Sequence, residues 1–201
     1  MKSTFKYILL CMVVISFSQC RTKPNSTDQL DHYFNNEFPG EEPGGAVLIM
    51  KGDSVIFSKG YGLADLSGNL PVTPGTLFNL GSVSKTFIAN AILILNEQGK
   101  LSLEDSIIEY FPDFKNKGIA QKIKIKHLLN HTSGLPDIRQ VWKDTVFYLT
   151  AKDAENWHPV TQAEKLRFEP GSKFEYSNPS YNGLALIVEK VSGQRWQDFV
   201  A

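Results

Sequence analysis

The chain has 201 residues, 42% of them hydrophobic and 21% charged, a composition that suits one globular domain with a sizeable core. Its 21 basic and 21 acidic residues cancel to a formal net charge of zero. No basic field is available to hold a polyanion, so nucleic acid is not an expected partner. Both cysteines, Cys11 and Cys20, fall within the first twenty residues, so the rest of the chain must fold without a disulfide.

Residues 1–19 read as a signal rather than as part of a fold. Lys2 and Lys6 give a positive start, and "YILLCMVVISF" (7–17) is apolar but shorter than the roughly 20 residues a membrane span needs. Ser18-Gln19-Cys20 closes the segment, in a loose form of the bacterial lipoprotein signal. Cleavage there would leave Cys20 as a lipid-bearing N-terminus and anchor an exported protein to a membrane of the cell envelope. A plain secretory signal, releasing a secreted or periplasmic protein, is the alternative. Residues 20–29 are polar, contain Pro24 and read as a tether, which leaves 30–201 as the domain.

In chain order, residues 30–38 suit a short amphipathic helix stopped by Pro39-Gly40. "AVLIM" (46–50) reads as a buried strand, Gly52-Asp53 suits a two-residue hairpin turn, and residues 54–61 return as the second strand. Residues 82–98 carry the strongest helical pattern, apolar nearly all round and therefore expected at the centre of the core, with Gly99 just past the end. Ser102 is placed to cap a shorter helix to Tyr110, ended by Pro112. Ile123 and Ile125 alternate with lysines as a short extended piece, and "HLLNH" comes next as a helical turn. Asn178-Pro179 reads as a cap with proline at the first helical position, opening a helix to about Val191; residues 195–201 begin another. Hairpin first and helices after it is an α+β pattern, but two strands alone do not make a stable sheet, so further strands or a partner are expected to complete it.

Lys85 stands out. It occupies the opening turn of the apolar helix, where the positive macrodipole end favours anions and the neighbours favour burial. Neither condition gives it a stabilising role. Ser82, three residues earlier, shares its helix face, and a neutral amine can take a proton from a serine hydroxyl. An N-terminal serine also aims its own N–H at a developing oxyanion. An ordinary capping serine and a lysine reaching out to water are the plain alternatives, and Ser-x-x-Lys alone is weak, since Ser3 and Lys6 match it inside the signal. His127 and His131 have the i, i+4 spacing of a zinc pair but lack the glutamate of His-Glu-x-x-His, so no metal site is expected and His131 reads as a loop residue with Thr132 and Ser133. Trp142, Trp157 and Trp196 suit either core or pocket wall.

The surroundings of Ser82 are more specific. "FNLGSVSKTF" (78–87) resembles the nucleophile motif of the serine β-lactamase and penicillin-binding-protein family, most closely its class C-like branch of carboxypeptidases, esterases and D-amino-acid peptidases. "YGLAD" (61–65), "LLNHTSGLP" (128–136) and "FEPGSKFEYSNPSYNGL" (168–184) resemble family segments in family order, the last carrying a Tyr-x-Asn element. The resemblance spans roughly residues 30–201. It implies an antiparallel sheet flanked by helices and a serine hydrolase with no cofactor. Ser82 would be the acylated nucleophile, Lys85 and Tyr176 its proton partners, and Asn178 a group that orients substrate or Lys85. β-Lactams, D-amino-acid or peptidoglycan-derived peptides and small esters are the implied substrates.

The family's third motif, Lys-Thr-Gly or His-x-Gly on a late sheet strand, has no counterpart after Asn178. The resemblance therefore implies a truncated sequence without its closing strands, inactive as it stands. A non-catalytic envelope lipoprotein that binds peptidoglycan fragments or a protein partner is the competing expectation.

Overall fold

A computed structural model describes residues 25–137 and 145–201. The signal-like start, Cys20 and Trp142 lie outside the described residues. The chain divides into two compact units, Met1–Asn79 and Leu80–Ala201.

The first unit is a hairpin with a helix on one face. Helix α1 (Ser26–Glu37) begins four residues earlier than the sequence pattern predicts, so residues 26–29 are helical rather than tether. The reason is local: Asp28 sits in the first turn, where negative charge suits the exposed N–H groups. Strands β1 (Gly45–Lys51) and β2 (Ser54–Tyr61) pair antiparallel, with Lys51 opposite Ser54, so Gly52-Asp53 forms the two-residue turn as expected. Gly52 has φ 57°, which glycine adopts without steric penalty. One face of the hairpin meets α1: the Phe34 ring lies 5.8 Å from that of Tyr61, and Asp31 accepts hydrogen bonds from Tyr61 Oη at 2.9 Å and from Lys59 Nζ. That bonding holds the Asp31 carboxyl below its usual range and, with burial, pushes the Tyr61 phenol up to about 12. The other face leaves Leu48, Met50 and Val55 exposed, so residues 46–50 are not the buried strand that their apolar run predicts: side chains alternate between the two faces, and α1 packs on one. Strands β3 (Leu63–Asp65) and β4 (Leu70–Pro71) make a second small antiparallel ladder.

The second unit contains the main core. A 3-10 turn (Gly81–Val83) runs into α2 (Ser84–Glu97). After it come α3 (Lys117–Lys122), α4 (Ile125–Leu129), α5 (Thr145–Thr150), α6 (Asp153–Thr161), α7 (Asn178–Ser192) and α8 (Trp196–Phe199). Helix α7 is the hub and packs against α2, α4 and α6. Ile88, Ala91, Ile92 and Leu95 of α2 and Leu184, Ala185, Ile187 and Val188 of α7 are buried together with Leu128 and Trp157.

Two expectations change here. Helix α2 is not buried all round: Phe87, Leu93 and Ile94 stay exposed, because the core elements of this unit cover only the opposite face. Residues 102–110 form only a 3-10 turn, Ile107–Glu109, capped by Ser106 rather than Ser102. Their backbone bonds run sideways instead of along a helix: Ile107 N–H to Ile123 O at 2.9 Å, Ile125 N–H to Asp105 O and Lys126 N–H to Leu103 O, both at 3.1 Å. The extended piece at Ile123 is thereby real but short, since Ile125 already starts α4.

The architecture is α+β, small antiparallel ladders with helices.

Candidate active site

The site stands at the N-terminal ends of the two helices that share the core, α2 and α7. Gly81 opens the 3-10 turn with φ 52°, a left-handed value that lets the chain bend sharply into the helix just before Ser82. Ser82 is exposed on that turn and Lys85 lies half-buried in the first turn of α2. Their spacing brings them together as the sequence implies: Lys85 Nζ donates to Ser82 Oγ at 3.1 Å.

Tyr176 arrives from a segment far along the chain. Ser82 Oγ and Tyr176 Oη lie 3.0 Å apart, and either can donate. Lys85 Nζ also donates to Asn178 Oδ1 at 2.9 Å and sits 5.2 Å from the centre of the Tyr176 ring and 5.8 Å from that of Tyr181. The amine therefore faces a hydroxyl, an amide oxygen and two aromatic rings rather than bulk water. Hydrogen bonding by Lys85 and then by Ser82 holds the Tyr176 phenol below its usual range, against a smaller opposing effect of burial.

Asn178 is not the helix cap that the sequence suggests. Ser177 takes that position, and its Oγ accepts the Ser180 N–H at 3.4 Å and the Ser180 hydroxyl at 2.9 Å. The cap falls one residue early because Pro179, without an N–H, fits the first turn behind it. Asn178 is thus left with its side chain directed at Lys85.

The segment that carries Tyr176 is tied along the loop after α4. Arg167 N–H bonds to Gly134 O at 2.8 Å, Gly171 N–H to Thr132 O at 2.8 Å and Glu175 N–H to His131 O at 2.9 Å. Ser177 N–H donates to His131 Nδ1 at 3.2 Å. His127 and His131 do not act as a pair: His127 Nδ1 accepts the Lys124 N–H at 3.1 Å, within its own helix start. Tyr181 is the residue that sequence reading missed. It is three residues after Asn178 and so shares its helix face, and its hydroxyl donates to Leu129 O at 2.8 Å, which aims the ring at Lys85.

Chemically, the arrangement offers a hydroxyl that can pass its proton to a neighbouring amine or phenolate while the oxygen attacks an electrophile. A Lys–Tyr pair so closely placed titrates as a unit, so the proton belongs to the pair.

The chain is similar to known proteins. Residues 35–201 match the family described as Beta-lactamase. Protein flp of Staphylococcus aureus is 35% identical over 187 residues, which span 90% of this chain and 36% of that protein. Among solved structures, an octameric penicillin-binding protein homologue from Pyrococcus abyssi superposes with a TM-score of 0.70 at 30% identity, covering 87% of this chain and 40% of that one. The D-amino acid amidase of Ochrobactrum anthropi superposes with a TM-score of 0.61 at 28% identity, covering 78% and 42%. The chain thus spans little more than a third of the curated relative's length. With the match running through Ser82, Lys85, Tyr176 and Asn178, the chain belongs to the β-lactamase family.

Proposed function

We propose that Ser82 is the nucleophile of a serine hydrolase that works through an acyl-enzyme. The observation that carries this reading is the placement of Ser82 Oγ 3.1 Å from Lys85 Nζ and 3.0 Å from Tyr176 Oη. As Oγ bonds to the carbonyl carbon, the Lys85–Tyr176 pair takes its proton; as the bond to the leaving group breaks, Tyr176 returns a proton to that group. Water then attacks the acyl carbon, loses its proton to the same pair, and Ser82 leaves with it. Asn178 holds Lys85 in line. The Ser82 N–H, near the N-terminal end of the turn, is the oxyanion donor this chain supplies.

The substrate is an activated carbonyl: a β-lactam, a D-amino-acid peptide of peptidoglycan type, or a small ester. The amidase and the penicillin-binding protein homologue support that range. The chain spans little more than a third of the curated relative's length, so the turnover and substrates of the whole protein belong to this proposal.

The test is mass spectrometry of the chain after incubation with a fluorescent penicillin, a D-Ala-D-Ala peptide and a nitrophenyl ester, side by side. An adduct on Ser82 that disappears in Ser82→Ala supports the reading; an adduct that persists in that variant overturns it. Saturable binding of the D-Ala-D-Ala peptide with no adduct from any probe replaces it with a non-catalytic, peptide-binding envelope protein. Export and lipid attachment at Cys20 belong to the same proposal. Incorporation of labelled palmitate that survives Cys20→Ala would remove that part of it.

A further inference from the structure

His131 combines an unusual backbone with several ties to the segment around Tyr176. Its φ is 60°, a left-handed value rare outside glycine, although His adopts it more readily than most. Such a conformation costs free energy and persists only where the surroundings over-determine it. Here the surroundings are the segment 174–177. His131 O accepts the N–H of Glu175, the residue before Tyr176, and His131 Nδ1 accepts the N–H of Ser177, the residue after it. Between those two bonds the imidazole packs on the Tyr176 ring, with centroids 4.5 Å apart. Tyr181 at 5.2 Å and Phe174 at 5.9 Å cover further parts of the imidazole.

We infer that His131 is a positioning residue for Tyr176, bracketing it by backbone on both sides and by ring contact, and that it works only as the neutral imidazole with Nδ1 free of a proton. The inference rests on the reading of Tyr176 as a proton partner of Ser82, and deepens it by naming what sets the phenol 3.0 Å from the hydroxyl. Protonation at Nδ1 would remove the acceptor for Ser177 and place a second cation beside Lys85. Among the described residues the titratable groups that face the ring are Lys85, Tyr176 and Tyr181. Burial first, and then the Lys85 charge, hold the imidazole below its usual range, in keeping with the neutral form. The other ring nitrogen, Nε2, then carries the proton.

Two variants separate this from a merely structural role. His131→Asn tolerates left-handed φ and offers Oδ1 near the place of Nδ1; His131→Gly tolerates the φ but removes both acceptor and ring. In tyrosine labelled at Cζ, assigned by loss of one signal in Tyr176→Phe, the Tyr176 phenol is followed by NMR as pH rises. The expected result is a midpoint below that of free tyrosine in the wild type and in His131→Asn, and an upward shift to the ordinary value in His131→Gly. An unchanged midpoint in His131→Gly overturns the inference. Should that variant not fold, the wild type alone decides: the Ser177 amide must shift with the titration of His131, and imidazole ¹⁵N shifts must show Nδ1 unprotonated at neutral pH. A Ser177 amide indifferent to that titration, or a protonated Nδ1, overturns it equally. None of these readouts needs turnover. A failed hydrolase assignment would appear as adducts independent of Ser82, and a failed positioning role as a Tyr176 midpoint independent of His131.

Discussion

Lys85 Nζ donates to Asn178 Oδ1 at 2.9 Å across 93 residues of sequence, joining the first turns of the two helices that share the core. The bond gives the amine a fixed partner besides Ser82, so that its approach to Oγ is set by two packed helices rather than by a flexible side chain. Removing the acceptor in Asn178→Ala should loosen the amine while leaving the fold intact, because Ser177 and not Asn178 caps α7. Misplacement of a reacting group by about 1 Å costs on the order of 10²-fold in rate. Single-turnover acylation of Ser82 should fall by about that factor, with the melting temperature unchanged. An unchanged rate would mean that Lys85 is aligned without Asn178.

Tyr176→Phe tests the phenol directly. The side chain is half-exposed, so loss of its oxygen should hardly affect stability, while the Lys85–Ser82 bond at 3.1 Å is kept. Removing a positioned proton carrier typically costs about 10²–10⁴-fold. The pH profile gives the sharper sign. The phenolate is the proton-accepting form, and its fraction rises with pH; because Lys85 and Ser82 lower the phenol from its usual 10.0, the rise in acylation rate should occur below that value. The variant should lose that limb. A limb that persists in Tyr176→Phe assigns it to another group.

The four residues of this site were legible in the sequence for different reasons. Ser82 and Lys85 were legible from helix periodicity, since i and i+3 must meet. Tyr176 and Asn178 were not accessible to any local argument: only the resemblance paired Tyr176 with a serine 94 residues away, and most of the ties that bring the segment in run through loop carbonyls, which carry no side-chain signature. The early start of α1 and the shift of the α7 cap from Asn178 to Ser177 are boundary effects; in the second, two neighbouring polar residues compete for one capping role. Helix α2 shows a deeper limit. An apolar residue reads the same whether it faces the core, as Ile92 does, or stays open to solvent, as Phe87 does. Sequence pattern reports the preference of a face for cover, not whether these residues provide it.

Histidine protonation should make stability depend on pH. His127 and His131 are both held below the usual 6.5, in each case by burial first and by lysine charges next. Between the lowered folded-state value and 6.5 the unfolded chain binds more protons than the folded one, so stability rises with pH through that window and is lost as pH falls below 6.5. Denaturant midpoints measured from pH 7 to pH 4.5 should fall, and fall less in His131→Asn. Carboxylates such as Glu104, held to about 2 by Lys124 and Lys126, lose their contribution only at lower pH, so they do not blur the test. A midpoint flat over this range would contradict the neutral, partly buried state of both imidazoles.

Gly183 decides how closely α6 and α7 approach. A Cβ added there would lie 2.8 Å from Trp157 Cε3 and Cζ3 and 2.9 Å from Cη2, closer than real Cβ contacts come. The indole has nowhere to retreat: it is 2% exposed and packs on Phe111 with ring centroids 4.9 Å apart. Something rigid must therefore shift, and overpacking of this kind costs about 1–3 kcal/mol. Against it stands the helix-propensity gain of alanine over glycine, up to about 1 kcal/mol, which is smaller. Gly183→Ala should accordingly lower the melting temperature, by about 2–4 °C for each kcal/mol lost in a chain of this length. Gly40→Ala, where an added methyl meets nothing within 4 Å, should leave it nearly unchanged. Because α7 also carries Asn178 and the Ser177 cap, a displaced helix should slow acylation of Ser82 as well. A Gly183→Ala chain as stable as the parent would show that the indole can move aside, and with it that the spacing of these two helices is not fixed by this contact.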